Sequence, residues 1–289
     1  MEQKSTYGLI GYPVNHSLSP LMHNAAFEAL GVEAVYELFS LEEQELDEFF
    51  VDLKTEESHI FGLNVTVPYK EKVVKYLDSL APFAKKVNAV NTIVISKDRK
   101  LVGYNTDGPG FLAHLSELGF DVKGKRVSIL GAGGASRAII SSLCVKDERP
   151  GSIRIYDIDK DKAEFLISDL RERFDVSIVE TVNSIDDLNV ELADMLINAT
   201  PLGMKEDDPF IIDEESLHPN MFVYDLVYNP AETYLLKIAK EKGAQTANGL
   251  GMLFYQGVLA FQHWADIQLE QEVKDIMRSG LEAGASPQK

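Results

Sequence analysis

The stretch KGKRVSILGAGGASRAIISSL, residues 123–143, decides the fold. Residues 126–130 are apolar and β-branched enough to read as a buried strand. A glycine-rich turn follows at once, and then a helical pattern of alanines, isoleucines and serines leads to a second strand, SIRIYD, 152–157. Strand, tight turn, helix and strand make a βαβ unit, which demands a parallel sheet. The turn places Gly131, Gly133 and Ser136 at the three positions of a G-x-G-x-x-G/A fingerprint. Its physics is close approach: glycines admit a pyrophosphate, and the helix N-terminus offers N–H groups and positive potential. The flanking strands give the motif the context it needs, because the spacing alone is a weak signal. Ser136 stands where the fingerprint prefers Gly or Ala.

Outward from this unit the chain alternates strand-like and helix-like segments, the pattern of an α/β protein. Toward the N-terminus, YGLIGY (7–12), AVYELF (34–39) and LNVTV (63–67) read as strands. Between them PLMHNAAFEALG (20–31) reads as a helix with Met22, Ala25, Ala26, Ala29 and Leu30 on its apolar face. SLEEQELDEFFVDL (40–53) reads as a helix opened by a Ser40–Glu43 capping box. A helix is expected from about Tyr69, and NTIVIS with KLVGYN reads as a hairpin. Toward the C-terminus, SIVE, MLINAT and FVYDLVY continue the second set of strands, and helices are expected near 250–265 and 271–281. The expectation is two α/β domains: residues 1–106 plus 249–289, and residues 107–248.

The balance of 28 Lys+Arg against 46 Asp+Glu gives a net charge of −18. Such a surface repels nucleic acid and anionic membranes, so neither is expected as a partner. No run approaches the roughly eighteen apolar residues of a membrane span. The N-terminal MEQKSTYGLIGYP lacks a signal-peptide core, and a cytoplasmic location is expected. The lone Cys144 sits in an apolar run and reads as packing. With one cysteine and six histidines that show no ligand spacing, no metal is expected. The tail GLEAGASPQK reads as frayed.

NVTVPYKEK, residues 64–72, sets a chemical question. Pro68 ends the strand, since it has no N–H to donate, and two residues later stands Lys70. An ammonium at the end of a buried strand either faces water or has a partner. Elsewhere Ser17 and Ser19 precede the first helix, with Ser19 as a plausible N-cap before Pro20. Asn91, Asn105, Thr106 and Asp107 fall at the ends of the hairpin's strands. Two Asn-Thr pairs on one hairpin, near a lysine-bearing strand, look like a cluster that binds hydroxyls.

The blocks SLSP, NVTVPYK, AVNT, NTDG, GAGGA, NATPLGM, VYNP and NGLGMLFYQG occur in this order along the chain. Together they resemble the shikimate dehydrogenase family over nearly its whole length. The resemblance implies a substrate domain and a Rossmann domain with a cleft between them, and reduction of 3-dehydroshikimate to shikimate by a nicotinamide cofactor. It implies that Lys70 and Asp107 are the catalytic pair and that Ser17 and Ser19 hold the substrate carboxylate. It assigns Thr66, Asn91, Tyr228 and Gln256 to the substrate, with Asn105 a further contact. It assigns Gly131, Ala132, Gly133, Gly134 and Ala135 to the pyrophosphate loop. Thr200, Leu226, Gly249 and Met252 match positions near the adenosine or nicotinamide end. Two departures stand out: Asn88 where the family commonly has Gly, and Asp157–Ile158–Asp159 where users of NADP commonly have Asn-Arg-Thr.

Hydride addition to a ketone creates an alkoxide, and a lysine in place can supply the proton or the charge. A carboxylate such as Asp107 would hold the ammonium and offset its desolvation. Asp157 ends a strand 23 residues past Gly134. An acid there suits ribose hydroxyls and opposes a 2′-phosphate, so NAD is expected over NADP. The substrate is expected to be a small molecule, shikimate or 3-dehydroshikimate. A quinate/shikimate dehydrogenase acting oxidatively is the alternative, and a non-catalytic dinucleotide-binding regulator a more distant one. The chain is expected to work as a monomer or homodimer.

Overall fold

A computed structural model describes residues 4–145 and 147–285. The chain forms two compact units, Met1–Gly110 with Phe254–Lys289 and Phe111–Leu253. The domain boundaries expected at 107 and 249 lie a few residues before these divisions.

The first unit carries six strands: β1 (Ser5–Gly11), β2 (Ala34–Ser40), β3 (Ile60–Val65), β4 (Ser79–Leu80), β5 (Thr92–Ile95) and β6 (Leu101–Tyr104). Their order is β2-β1-β3-β5-β6-β4. β1 runs parallel to both β2 and β3, while β3–β5 and β5–β6 are antiparallel. Thus the expected hairpin forms and joins the sheet beside β3. α1 (Ser19–Ala29) and α2 (Leu46–Leu53) connect the first three strands, and the short α3 (Pro82–Val87) precedes β5. The core on one side of this sheet gathers Ile10, Leu46, Phe50, Leu63, Val65, Tyr69, Ile93 and Leu101.

In the second unit β7 (Arg126–Leu130), β8 (Ser152–Tyr156), β9 (Val179–Thr181), β10 (Met195–Asn198), β11 (Phe222–Asp225) and β12 (Gln245–Asn248) form one sheet in the order β12-β11-β10-β7-β8-β9. Every pair in it is parallel. This is the doubly wound dinucleotide-binding order, and its switch point falls between β7 and β10. α4 (Asp107–Glu117) precedes this sheet, α5 (Gly134–Val145), α6 (Lys160–Arg171) and α7 (Tyr234–Glu241) connect its strands, and α8 (Leu250–Ala265) and α9 (Gln271–Ala285) close the chain. α9 packs on α1 within the first unit.

Local readings need correction at four places. Along α1 the buried face is Ser19, Met22, His23, Ala26 and Phe27, so Ala25, Ala29 and Leu30 lie off it. The helix begins one residue early: Leu18 is the N-cap and makes no side-chain cap, so Ser19 is the first helical residue. Instead of capping the helix, the Ser19 N–H donates to Ser17 Oγ at 3.2 Å. A capping box does exist before α2, but on Glu42 and Glu45, because β2 continues through Ser40. After Pro68 no α-helix forms; a turn leads into a short 3-10 segment, Lys72–Tyr76, where Val73 and Val74 disfavour regular helix. At the C-terminus α9 continues through Ala285, past the expected end at 281, so most of the tail read as frayed is helical; its last four residues lie outside the described set. Among the described residues no helix is long and apolar enough to cross a membrane.

Candidate active site

Lys70 lies just past the C-terminal end of β3, and Asp107 opens α4 right after β6. The antiparallel arrangement β3–β5–β6 brings these two chain segments side by side. The Lys70 ammonium donates to Asp107 Oδ2 at 2.6 Å, with side-chain exposures of 15% and 8%. Neither charge is left alone in a dry site, which is what makes its burial tolerable. Asp107 Oδ1 accepts from Asn91 Nδ2 at 2.9 Å. The same Nδ2 lies 2.9 Å from Thr106 Oγ1 and 3.3 Å from Gln256 Oε1. Asn91 Oδ1 accepts from the Thr106 N–H at 2.7 Å, which fixes the amide's orientation.

Ser17 and Ser19 lie next to each other, with Ser17 Oγ donating to Ser19 Oγ at 3.2 Å. Ser17 is half-buried and Ser19 buried. Thr66 follows β3, its N–H donating to the Ile10 carbonyl at 2.9 Å. That bond places Thr66 beside the end of β1, the strand that leads to the two serines. Asn105 uses its amide within the loop: Nδ2 donates to the Ala89 carbonyl at 3.1 Å, and Oδ1 accepts from Gly108 N–H. Asn88 takes the left-handed conformation, φ 56°, at the end of α3. That region favours Gly and tolerates Asn, so the departure from the family pattern preserves the turn.

All of these residues belong to the first unit. Within it the site also holds Asn64 and Thr92, which the sequence reading did not single out. Asn64 is 4% exposed and Thr92 fully buried. An amide inside an otherwise apolar strand run was the available signal, since a buried polar group needs partners.

In the second unit the glycine turn leaves β7 at the switch point. Gly131 has φ +94°, and a Cβ there would meet the Ala199 carbonyl oxygen at 2.9 Å. Gly133 has nothing within 4 Å of where a Cβ would stand, open room directly ahead of α5. Ser136 is fully buried and donates to the Gly131 carbonyl at 2.5 Å. The departure at the third fingerprint position therefore braces the turn instead of blocking it. Ala132 and Gly134 complete the loop, Ala135 standing in the first turn of α5. The exposed backbone, the open space and the helix start fit a pyrophosphate.

Thr200 follows β10, its hydroxyl donating to Asn198 Oδ1 at 2.6 Å. Gly249 follows β12, and a Cβ there would collide with the Leu226 carbonyl, so only glycine allows these chain segments to pass. Met252 is buried in α8, and Tyr228 is half-buried, its phenol pushed up by burial. Among the described residues no group of three or more His, Cys, Asp or Glu is arranged to hold a metal ion.

The fold and these two groupings define a class: a nicotinamide-dependent α/β oxidoreductase with a doubly wound dinucleotide unit. Residues 9–93 match the model of the shikimate dehydrogenase substrate binding domain. Shikimate dehydrogenase (NADP(+)) of Carboxydothermus hydrogenoformans is 44% identical over 264 residues, covering 90% of this chain and 91% of the relative. The chain belongs to the shikimate dehydrogenase family. Among solved structures, shikimate dehydrogenase from Aquifex aeolicus superposes with a TM-score of 0.86, at 38% identity over 96% of this chain and 98% of that one. A shikimate dehydrogenase in complex with NADP+ also gives 0.86, at 37% identity over 98% and 96%.

These relatives overturn the expectation that NAD is favoured over NADP. The structure supplies a physical reason. Asp157 is 9% exposed and does not stand as a free charge. Its Oδ2 accepts from the Ala132 N–H at 2.7 Å, and its Oδ1 accepts from the Asp159 N–H at 2.9 Å. Lys162 Nζ lies 3.5 Å away. The carboxylate pins the glycine turn and is partly offset by a cation, so it repels a 2′-phosphate less than a free strand-end acid would. Asp159 likewise caps α6, accepting from the Lys162 N–H.

Proposed function

We propose that this protein catalyses the reversible reduction of 3-dehydroshikimate to shikimate, with NADP(H) as the dinucleotide, as its named relatives do. The observation that carries the reading is the Lys70–Asp107 contact at 2.6 Å, with Asn91 on the second carboxylate oxygen. Bound in the second unit, the dinucleotide supplies or takes the hydride. Lys70 gives a proton to the ketone oxygen as negative charge develops there, and takes it back when shikimate is oxidised. Asp107 holds the ammonium in place. Ser17 and Ser19 hold the substrate carboxylate; Thr66, Asn91, Asn105, Tyr228 and Gln256 meet the ring hydroxyls. The backbone from Gly131 to Ala135 receives the pyrophosphate, with Thr200, Leu226, Gly249 and Met252 flanking the rest of the dinucleotide, and Asp157 holding the loop. We further assign the protein to the cytoplasm, as a monomer or homodimer.

The test is steady-state shikimate oxidation with NADP, followed at the absorbance of the reduced nicotinamide, in wild type and Lys70→Ala. Turnover in the wild type that is lost in the variant supports the reading. Wild-type turnover in Lys70→Ala would remove the lysine from the mechanism.

A further inference from the structure

Tyr36 lies on β2, an edge strand of the first sheet, away from Lys70 in sequence and strand order. It is only 2% exposed. Its backbone on the open edge is satisfied by α1: the Tyr36 N–H donates to Asn24 Oδ1 at 2.8 Å, and Asn24 Nδ2 donates to the Tyr36 carbonyl at 3.2 Å. The ring stacks on His23 with centroids 4.5 Å apart and planes at 14°. The ring is thus held on β2 by both its backbone and its face. It donates to Asn64 Oδ1 at 2.8 Å.

That single bond orders the next ones. With Oδ1 facing Tyr36, Asn64 Nδ2 must face the other way, where it donates to the Asn91 carbonyl at 3.1 Å and to Thr92 Oγ1 at 3.2 Å. A hydroxyl that accepts from Asn64 is free to donate onward, and Thr92 Oγ1 donates to Asn91 Oδ1 at 3.2 Å. Asn91 Oδ1, which also accepts from the Thr106 N–H at 2.7 Å, is the acceptor end, and Nδ2 donates to Asp107 Oδ1. From Tyr36 through Asn64 and Thr92 to Asn91, each donor meets an acceptor. Reversing the Asn64 amide would make Thr92 donate backward and withdraw from Asn91.

Resting on the function proposed above, we propose that Tyr36 is a positioning residue for the reaction: through Asn64, Thr92 and Asn91, and together with the Thr106 N–H, it supports the orientation in which Asp107 holds Lys70. Burial pushes the Tyr36 phenol well above its ordinary range, so it stays a donor at every working pH and cannot reverse the chain's direction.

The experiment uses the full chain in shikimate oxidation at saturating NADP, with wild type, Lys70→Ala, Tyr36→Phe, Thr92→Val and the Tyr36→Phe/Thr92→Val double variant. Tyr36→Phe keeps the stacked ring and removes only the donor; Thr92→Val keeps the shape and cuts the chain further along. Each is expected to lower kcat about tenfold, the scale of a small misplacement of a catalytic group. The double variant is expected to lose no more than either single one, because the chain is already broken. A mere loss of stability would not produce that equality at saturating substrate. Should Tyr36→Phe fail to fold, Thr92→Val alone carries the test. Full kcat in either single variant, or multiplication of the two effects, would overturn the inference while Lys70→Ala remained inactive. Full activity in Lys70→Ala would instead overturn the proposed function itself.

Discussion

Lys70 shows how a charged residue becomes possible at the end of a buried strand. An unpaired ammonium there would be strongly disfavoured. The 2.6 Å contact with Asp107 supplies the partner, and Asn91 supplies the carboxylate's second hydrogen bond. A group that acts as charge develops on oxygen affects kcat more than KM. Lys70→Ala is expected to lower kcat about 10²–10⁴-fold, the usual contribution of a positioned acid–base group, with a small change in the shikimate KM. Asp107→Asn is expected to be damaging too, and the double variant to fall short of the product of the two effects, because the pair acts as one unit. Steady-state kinetics on the four proteins checks both points. Ser19 illustrates a reading the structure changed. As an N-cap its loss would destabilise by about 0.5–2 kcal/mol. It makes no cap here. Ser19→Ala is therefore expected to weaken shikimate binding without that loss, as read by calorimetric titration beside urea unfolding.

At the scale of elements, the glycine turn and α1 behave differently from what periodicity alone suggests. The turn needs a left-handed residue at 131 because the chain reverses directly against Ala199. Gly131→Ala is expected to destabilise by about 1–2 kcal/mol from backbone conformation alone, and more from the contact with Ala199, measured by denaturant unfolding. In α1 the buried face includes His23, whose two ring nitrogens have no hydrogen-bond partner among the described residues. Burial lowers its pKa from 6.5 to about 3, against a smaller opposing effect of Asn64. The folded state thus binds this proton less tightly than the unfolded state. Between pH 6.5 and about 3 the unfolded chain holds more protons, so stability falls as pH falls through that window. His23→Phe removes the titration and keeps an aromatic ring beside Tyr36, Phe261 and Trp264. Its stability is expected to vary less between pH 7 and pH 5 than that of wild type, as read by urea unfolding at the two values.

Over the whole molecule, the residues proposed for the substrate carboxylate and those proposed for the pyrophosphate belong to different compact units. Ser17→Ala is expected to raise the shikimate dissociation constant several-fold and leave NADP binding within about twofold; the opposite pattern is expected for Gly133→Val, which fills the open space ahead of α5. Calorimetric titration of each ligand against each variant measures this directly. If both variants lost both ligands equally, the assignment of one ligand to each unit would fail.

Much of this was legible in the chain itself. The doubly wound unit followed from a short-range pattern: a β-branched run, glycines at fixed spacing and a helix start within about twenty residues. Such features are local, so sequence carries them. Lys70, Asp107 and Asn91 were legible for a related reason, because each occupies a recognisable strand end. The sense of α1's buried face was not, since apolar spacing cannot say that a histidine will be buried when an aromatic stack on another element waits for it. Nor were the contacts of Asp157, whose carboxylate accepts from the Ala132 N–H of the glycine turn. Tyr36 and Asn64 lie 28 residues apart, as do Asn64 and Thr92, and their hydrogen-bonding direction exists only once β2, β3 and β5 are in place. The sequence by itself determined the class of fold and the dinucleotide turn, and it marked Lys70 and Asp107 as the pair proposed to react. Tertiary structure alone decided which way each buried amide faces, because a hydrogen bond's direction depends on the partner that folding brings to it.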